Sequence, residues 1–147
     1  MKMKELLLLL ALATFSRADA EPMFSPEPGS PLRKTLMNTL RQPIMKALNQ
    51  SVIFKIDWLQ VKDGWAFIRG QPFQPGGQPV DYGITPYQDA IFAGVFDDGF
   101  CALLQWQEDK RWQVVVYAIG ATDVVYAPWP KKYGAQRELF DLSRKKP

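Results

Sequence analysis

Between residues 30 and 70 the spacing of apolar residues changes once, and that change sets the class of fold. Leu32, Leu36, Leu40, Ile44 and Leu48 recur every fourth residue, which lines them along one stripe of a helix. Ser30 followed by Pro31 is the N-cap and first-turn pair that starts such a helix. Pro43 removes a backbone donor and crowds the carbonyl four residues earlier, so a kink or break is expected near Arg41 and Gln42. From Ser51 the interval falls to two, and Val52, Phe54, Ile56 and Trp58 then share one side of a strand.

Asp63-Gly64 supplies a two-residue hairpin turn before Trp65-Ala66-Phe67-Ile68. With those two residues in the turn, Lys62 faces Trp65, Gln60 faces Phe67 and Leu59 faces Ile68. Trp58, Trp65 and Phe67 then occupy one face and Leu59, Val61, Ala66 and Ile68 the other. Both faces are apolar, so the helix is expected to cover one, and later sequence or a partner part of the other.

Further along, Gly70 to Asp89 is rich in proline, glycine and glutamine, a long connection of the kind that usually has a functional reason. Ala90 to Phe96 reads as a short strand ended by Asp97-Asp98-Gly99. Phe100 to Gln107 and Trp112 to Ile119 form a second hairpin across Glu108-Asp109-Lys110-Arg111. Gly120 to Asp123 breaks that strand, and the Pro128-Trp129-Pro130 region packs back irregularly. The expected fold is α+β, an N-terminal helix packed on an antiparallel sheet of four to five strands. In element order over roughly residues 30 to 126 it resembles cystatin-like and NTF2-like architectures. No motif carries that likeness, so it implies a fold and no activity.

The first twenty residues have the pattern of a cleavable signal peptide: Lys2 and Lys4, an apolar run from Leu6 to Ala13, and Ala18-Asp19-Ala20 before a cut at Glu21. That run is about half of the ~20 residues a membrane-spanning helix needs, so no membrane span is expected. The organisation read from this is a signal peptide over 1–20, a flexible lead-in over 21–29, one globular domain over 30–140 and a polar, solvated tail over 141–147. The protein is placed in the periplasm or outside the cell. Cys101, the lone cysteine, stands in an apolar strand, where a buried inert thiol is the ordinary outcome. Residues 1–20 carry Lys2, Lys4 and Arg17 against Glu5 and Asp19, so the net charge of +3 falls to +2 on cleavage. So small an excess points away from nucleic acid, and the basic residues that do cluster are Lys131-Lys132 and Arg144-Lys145-Lys146, the second group in the polar tail.

The chain contains no histidine, which removes Ser-His-Asp and Cys-His catalysis and the commonest transition-metal ligand. A carboxylate pair could still act as acid and base, as in glycosidases, with Asp57, Asp81, Asp89 and Asp123 as the residues to watch. Asp97-Asp98-Gly99 lacks the spaced oxygen ligands of a calcium loop and reads as a turn. Pro75-Gly76-Gly77 does not join a strand to a helix start, so it gives no phosphate cradle. No catalytic residue, metal or cofactor is assigned.

Aromatic residues outside regular strands remain as recognition candidates. Tyr82 and Tyr87 in the long loop, with Asp81 beside them, and Trp129 and Tyr133 near the C-terminus offer flat faces and polar handles for a sugar ring or a partner surface. The function expected is that of a non-catalytic binding protein of the cell envelope or periplasm, engaging a protein or glycan through Asp81, Tyr82, Tyr87, Trp129 and Tyr133. The alternative is a small carboxylate-dependent enzyme acting on envelope glycan. The oligomeric state is left open.

Overall fold

The structure is a computed structural model and describes residues 21–144, so the expected signal peptide and the last three residues of the tail lie outside it. A helix, α1 (Pro31–Leu48), precedes a four-stranded antiparallel meander: β1 (Ile53–Lys62), β2 (Trp65–Phe73), β3 (Phe100–Trp106) and β4 (Trp112–Ile119). Two five-residue helices complete it, α2 (Gln88–Phe92) between β2 and β3 and α3 (Trp129–Tyr133) after β4. The class is therefore α+β with an open sheet. Among the described residues no helix is long and apolar enough to cross a membrane.

Helix α1 starts where the sequence places it, with the Ser30 side chain accepting a hydrogen bond from Arg33 N at 3.3 Å. Leu36, Leu40, Ile44 and Leu48 are fully buried and pack on Leu59, Val61, Ala66, Ile68, Ala102 and Leu104. The expected break at Pro43 does not occur, and the helix runs through it to Leu48. Two buried stripe residues, Ile44 and Leu48, lie beyond the proline, and their burial offsets the one backbone bond it removes.

The β1–β2 register is the one the Asp63-Gly64 turn dictates: Lys62 opposite Trp65, Gln60 opposite Phe67, Leu59 opposite Ile68. One expectation fails. Val52, Phe54, Ile56 and Trp58 do not share a side, because the ladder shifts between Ile56 and Trp58, leaving Asp57 as an extra residue. Phe54 and Ile56 pack toward α1, whereas Trp58 joins Trp65 and Phe67 on the opposite face. The bulge thus lets a strand apolar on both sides serve two cores.

That opposite face is covered by the chain's own C-terminal segment. Trp129, Ala135 and Leu139 are buried against Trp58, Phe67 and Leu103. Trp58 Nε1 donates to Leu139 O at 2.8 Å, Lys62 pairs with Glu138, and Gln136 Nε2 donates to Asp63 Oδ2 at 3.1 Å. The sheet therefore lies between α1 and the C-terminal segment, in three layers.

Three further expectations change. The lead-in is anchored, since Phe24 and Val61 exchange two backbone hydrogen bonds and Arg33 Nη1 donates to Pro26 O at 3.0 Å. The tail is held as far as Arg144, whose guanidinium meets Glu138 at 3.2 Å and Asp141 at 3.5 Å while Leu142 packs on the second core. Ala90 to Phe96 is not a strand. Its first three residues end α2 and the rest is irregular, because Gly94 at φ +72° turns the chain before a ladder could form.

Candidate functional site

The connection between β2 and β3 is built from the residues that made it look like an open loop. Phe73 pairs with Pro79 in an isolated bridge, closing the Pro75-Gly76-Gly77 turn. The Gln50 side chain then clamps Asp81, with Nε2 donating to Asp81 O and Oε1 accepting from Asp81 N, both at 2.9 Å. Asp81 Oδ1 accepts from Gly83 N at 2.9 Å and caps the short turn Tyr82–Ile84. The connection is thus a structured excursion tied to the end of α1.

The tyrosines expected to face a partner are instead packed inward. Tyr82 and Tyr87 lean on the α1 core, and their rings flank Phe96 with centroids at 4.9 Å and 5.6 Å. The Tyr82 hydroxyl donates to Asp98. Burial, reinforced by that bond and by the Asp98 charge, holds its pKa above the ordinary tyrosine value, and burial raises that of Tyr87. Trp129 is buried beside Phe67, and Tyr133 is half-buried in the same cluster under Lys132. The five expected residues therefore divide: Asp81, Tyr82 and Tyr87 sit on the excursion, and Trp129 and Tyr133 belong to the second core on the other side of the sheet.

What the structure brings together instead is a cleft of about 310 Å³ at the end of the sheet. It is lined by Asp57 from the β1 bulge, Arg69 from β2, Asp97 and Asp98 before β3, and Asp123 and Tyr126 after β4. Of the four candidate acids, Asp57 and Asp123 share this cleft, while Asp81 and Asp89 do not line it. Asp98 is fixed at both oxygens, by Tyr82 at Oδ1 and by Gln71 Nε2 at Oδ2, 2.9 Å away. Arg69 lies over the Tyr126 ring at 5.4 Å, and Phe140 stacks against the same tyrosine at 6.2 Å, so that ring is occupied by its own neighbours. Cys101 reaches the cleft wall, but burial pushes its thiol up to about 11 in spite of the nearby Arg69. Such a thiol is a poor nucleophile. Among the described residues no three His, Cys, Asp or Glu side chains are placed to hold a metal ion together.

A second feature adjoins the acidic turn. Phe92, at the end of α2, is 96% exposed, and Ile84 (50%), Ile91 (41%) and Val95 (58%) are exposed on the same excursion. From Gly70 to Asp109 the chain has no Lys or Arg, while Asp81, Asp89, Asp97, Asp98, Glu108 and Asp109 fall within it. An apolar tip thus projects from an acidic segment of a chain that is basic overall. Reading Ala90–Phe96 as a strand hid this tip, because alternation would have put part of it in the core. The signal available was Gly94, which marks a chain reversal within the run.

No protein-family model matches the chain, and neither the curated proteins nor the solved structures provide a match.

Proposed function

We propose that this is a non-catalytic binding protein of the periplasm or cell envelope, exported by cleavage before Glu21, and that its partner is a protein. The observation that carries this reading is Phe92, 96% exposed on a structured excursion with three more exposed aliphatic side chains. Burying a phenylalanine is worth about 1.5–3 kcal/mol, so a tip that keeps it in water gives up stability that a partner's pocket would return. The acids nearest it along the chain, Asp89, Asp97 and Asp98, point to a pocket rimmed by Lys or Arg. A glycan fits less well at the cleft and the excursion, because the tyrosines there are already stacked: Tyr126 by Arg69 and Phe140, Tyr82 and Tyr87 by Phe96. The finer fold reading, a cystatin-like or NTF2-like architecture, is supported by a helix preceding a four-stranded meander and carries no activity with it.

The test is a photo-reactive amino acid placed at Phe92 or, as control, at exposed Lys46 on α1, in the chain produced in an exporting host. One discrete protein adduct at position 92 and none at 46 is expected. Equal labelling at both positions, or none, would overturn the reading.

A second reading keeps one specific observation in its favour: Asp57 and Asp123 line the same cleft. An acid-base pair acting on envelope glycan would use them as proton donor and base. Turnover of a glycan that disappears in both Asp57→Asn and Asp123→Asn, with folding intact, would establish it in place of the binding role.

A further inference from the structure

The sheet has two outer strands, and they are treated differently. On β1, Phe24 occupies the outer edge at Val61 through two backbone bonds, of 3.0 Å and 2.7 Å, Lys55 and Lys62 charge the strand, and the Asp57 bulge breaks its line. These are the devices by which edge strands avoid pairing. On β4 most of them are missing. Trp112-Gln113-Val114-Val115-Val116-Tyr117-Ala118-Ile119 has no charge and no proline, and among the described residues nothing pairs with its outer side. Its one irregularity is the extra residue Val115, where the ladder with β3 shifts. Beyond it, Val116 to Ile119 pairs regularly with Phe100 to Leu103.

Gly120 N–H points inward to Gly99 O at 2.8 Å, so by antiparallel alternation the amides and carbonyls of Ile119 and Tyr117 point away from β3. Those groups ask for a strand. Phe24 holds the outer side of β1 at Val61 and Lys55 charges the stretch from Ile53 to Ile56, so β4 against β4 is the pairing that puts no charge on the seam between identical chains. That pairing is two-fold symmetric and stops at two. The strand suits it, because antiparallel self-pairing of an uncharged sequence sets no like charges opposite each other. We infer that β4 is a homodimer interface, joining the sheets of two copies of this chain into one continuous eight-stranded sheet. This goes beyond the partner-binding role and does not depend on it, since the Phe92 tip lies outside the strand.

The test is the solution mass of the full chain by light scattering over a dilution series, for the wild type, Tyr117→Pro, Tyr117→Lys and Phe92→Ser. Proline at 117 removes an outward donor without touching the β3 ladder, and lysine sets two charges against each other across the axis. The wild type and Phe92→Ser are expected at twice the chain mass, and both Tyr117 variants at the single-chain mass with unchanged circular dichroism. Should Tyr117→Pro fail to fold, Tyr117→Lys decides alone. Slowed amide exchange at Tyr117 and Ile119 in the wild type, lost on dilution, is the second readout. A wild-type monomer at every concentration, an open-ended assembly, or a dimer that survives at Tyr117→Lys would overturn the inference. A dimer dissolved only by Phe92→Ser would move the interface to the apolar tip.

Discussion

The Tyr82 hydroxyl donates to Asp98 Oδ1 while Gln71 Nε2 donates to Oδ2, so one carboxylate joins the β2–β3 excursion to the wall of the acidic cleft. Burial holds Tyr82 protonated, reinforced by the bond to Asp98 and by its charge. Below about pH 10 both folded and unfolded states keep the phenol proton, and the contribution to stability is complete. Above it the unfolded chain ionises first, so stability falls with rising pH.

The expected result is a urea midpoint that declines between about pH 9 and pH 11 in the wild type and declines less steeply in Tyr82→Phe. That variant is also expected to be less stable at neutral pH through the lost hydrogen bond. An alkaline slope identical in the two proteins would mean that Tyr82 is not held as described.

Leu36 and Leu40 are fully buried where α1 crosses the sheet. Replacing either by alanine is expected to cost about 2–5 kcal/mol, from lost transfer energy and the cavity left behind. Chemical denaturation measures it, and a loss below about 0.5 kcal/mol would place the stripe at the surface.

Gly120 has φ +79°, and a Cβ there would fall 2.2 Å from the Phe96 ring that Tyr82 and Tyr87 flank. Gly77 has φ +85° with open space around it. Alanine at Gly77 therefore measures the backbone cost alone, about 1 kcal/mol, and alanine at Gly120 is expected to cost clearly more because Phe96 must also move. Equal midpoints for the two variants would show that Phe96 does not pack there.

What the sequence disclosed follows from how local each signal is. The β1–β2 register was legible because Asp63-Gly64 is a turn contained in two residues, and α1 because its stripe repeats over four turns. The Asp57 bulge was not, since an unbroken apolar alternation carries no mark of a ladder shift that depends on what lies on each face. The cleft escaped for a related reason. Asp57, Arg69, Asp98 and Asp123 come from four separated segments, and Asp97-Asp98-Gly99 on its own is indistinguishable from an ordinary turn. Tyr82 and Tyr87 carry no sequence mark of burial, because the excursion shows no apolar periodicity, yet Val80 is buried in the core and both rings lean on it.

The proposed docking of a protein on the 84–95 tip, anchored by Phe92, is tested by titrating the cross-linked partner, once purified, against wild type and Phe92→Ser. Stability is expected to change by less than about 0.5 kcal/mol, as for other exposed positions. Affinity is expected to fall by roughly 30-fold or more, the loss of a hot-spot aromatic worth about 2 kcal/mol. Equal affinity of the two proteins for that partner, with both fully folded, would contradict the account.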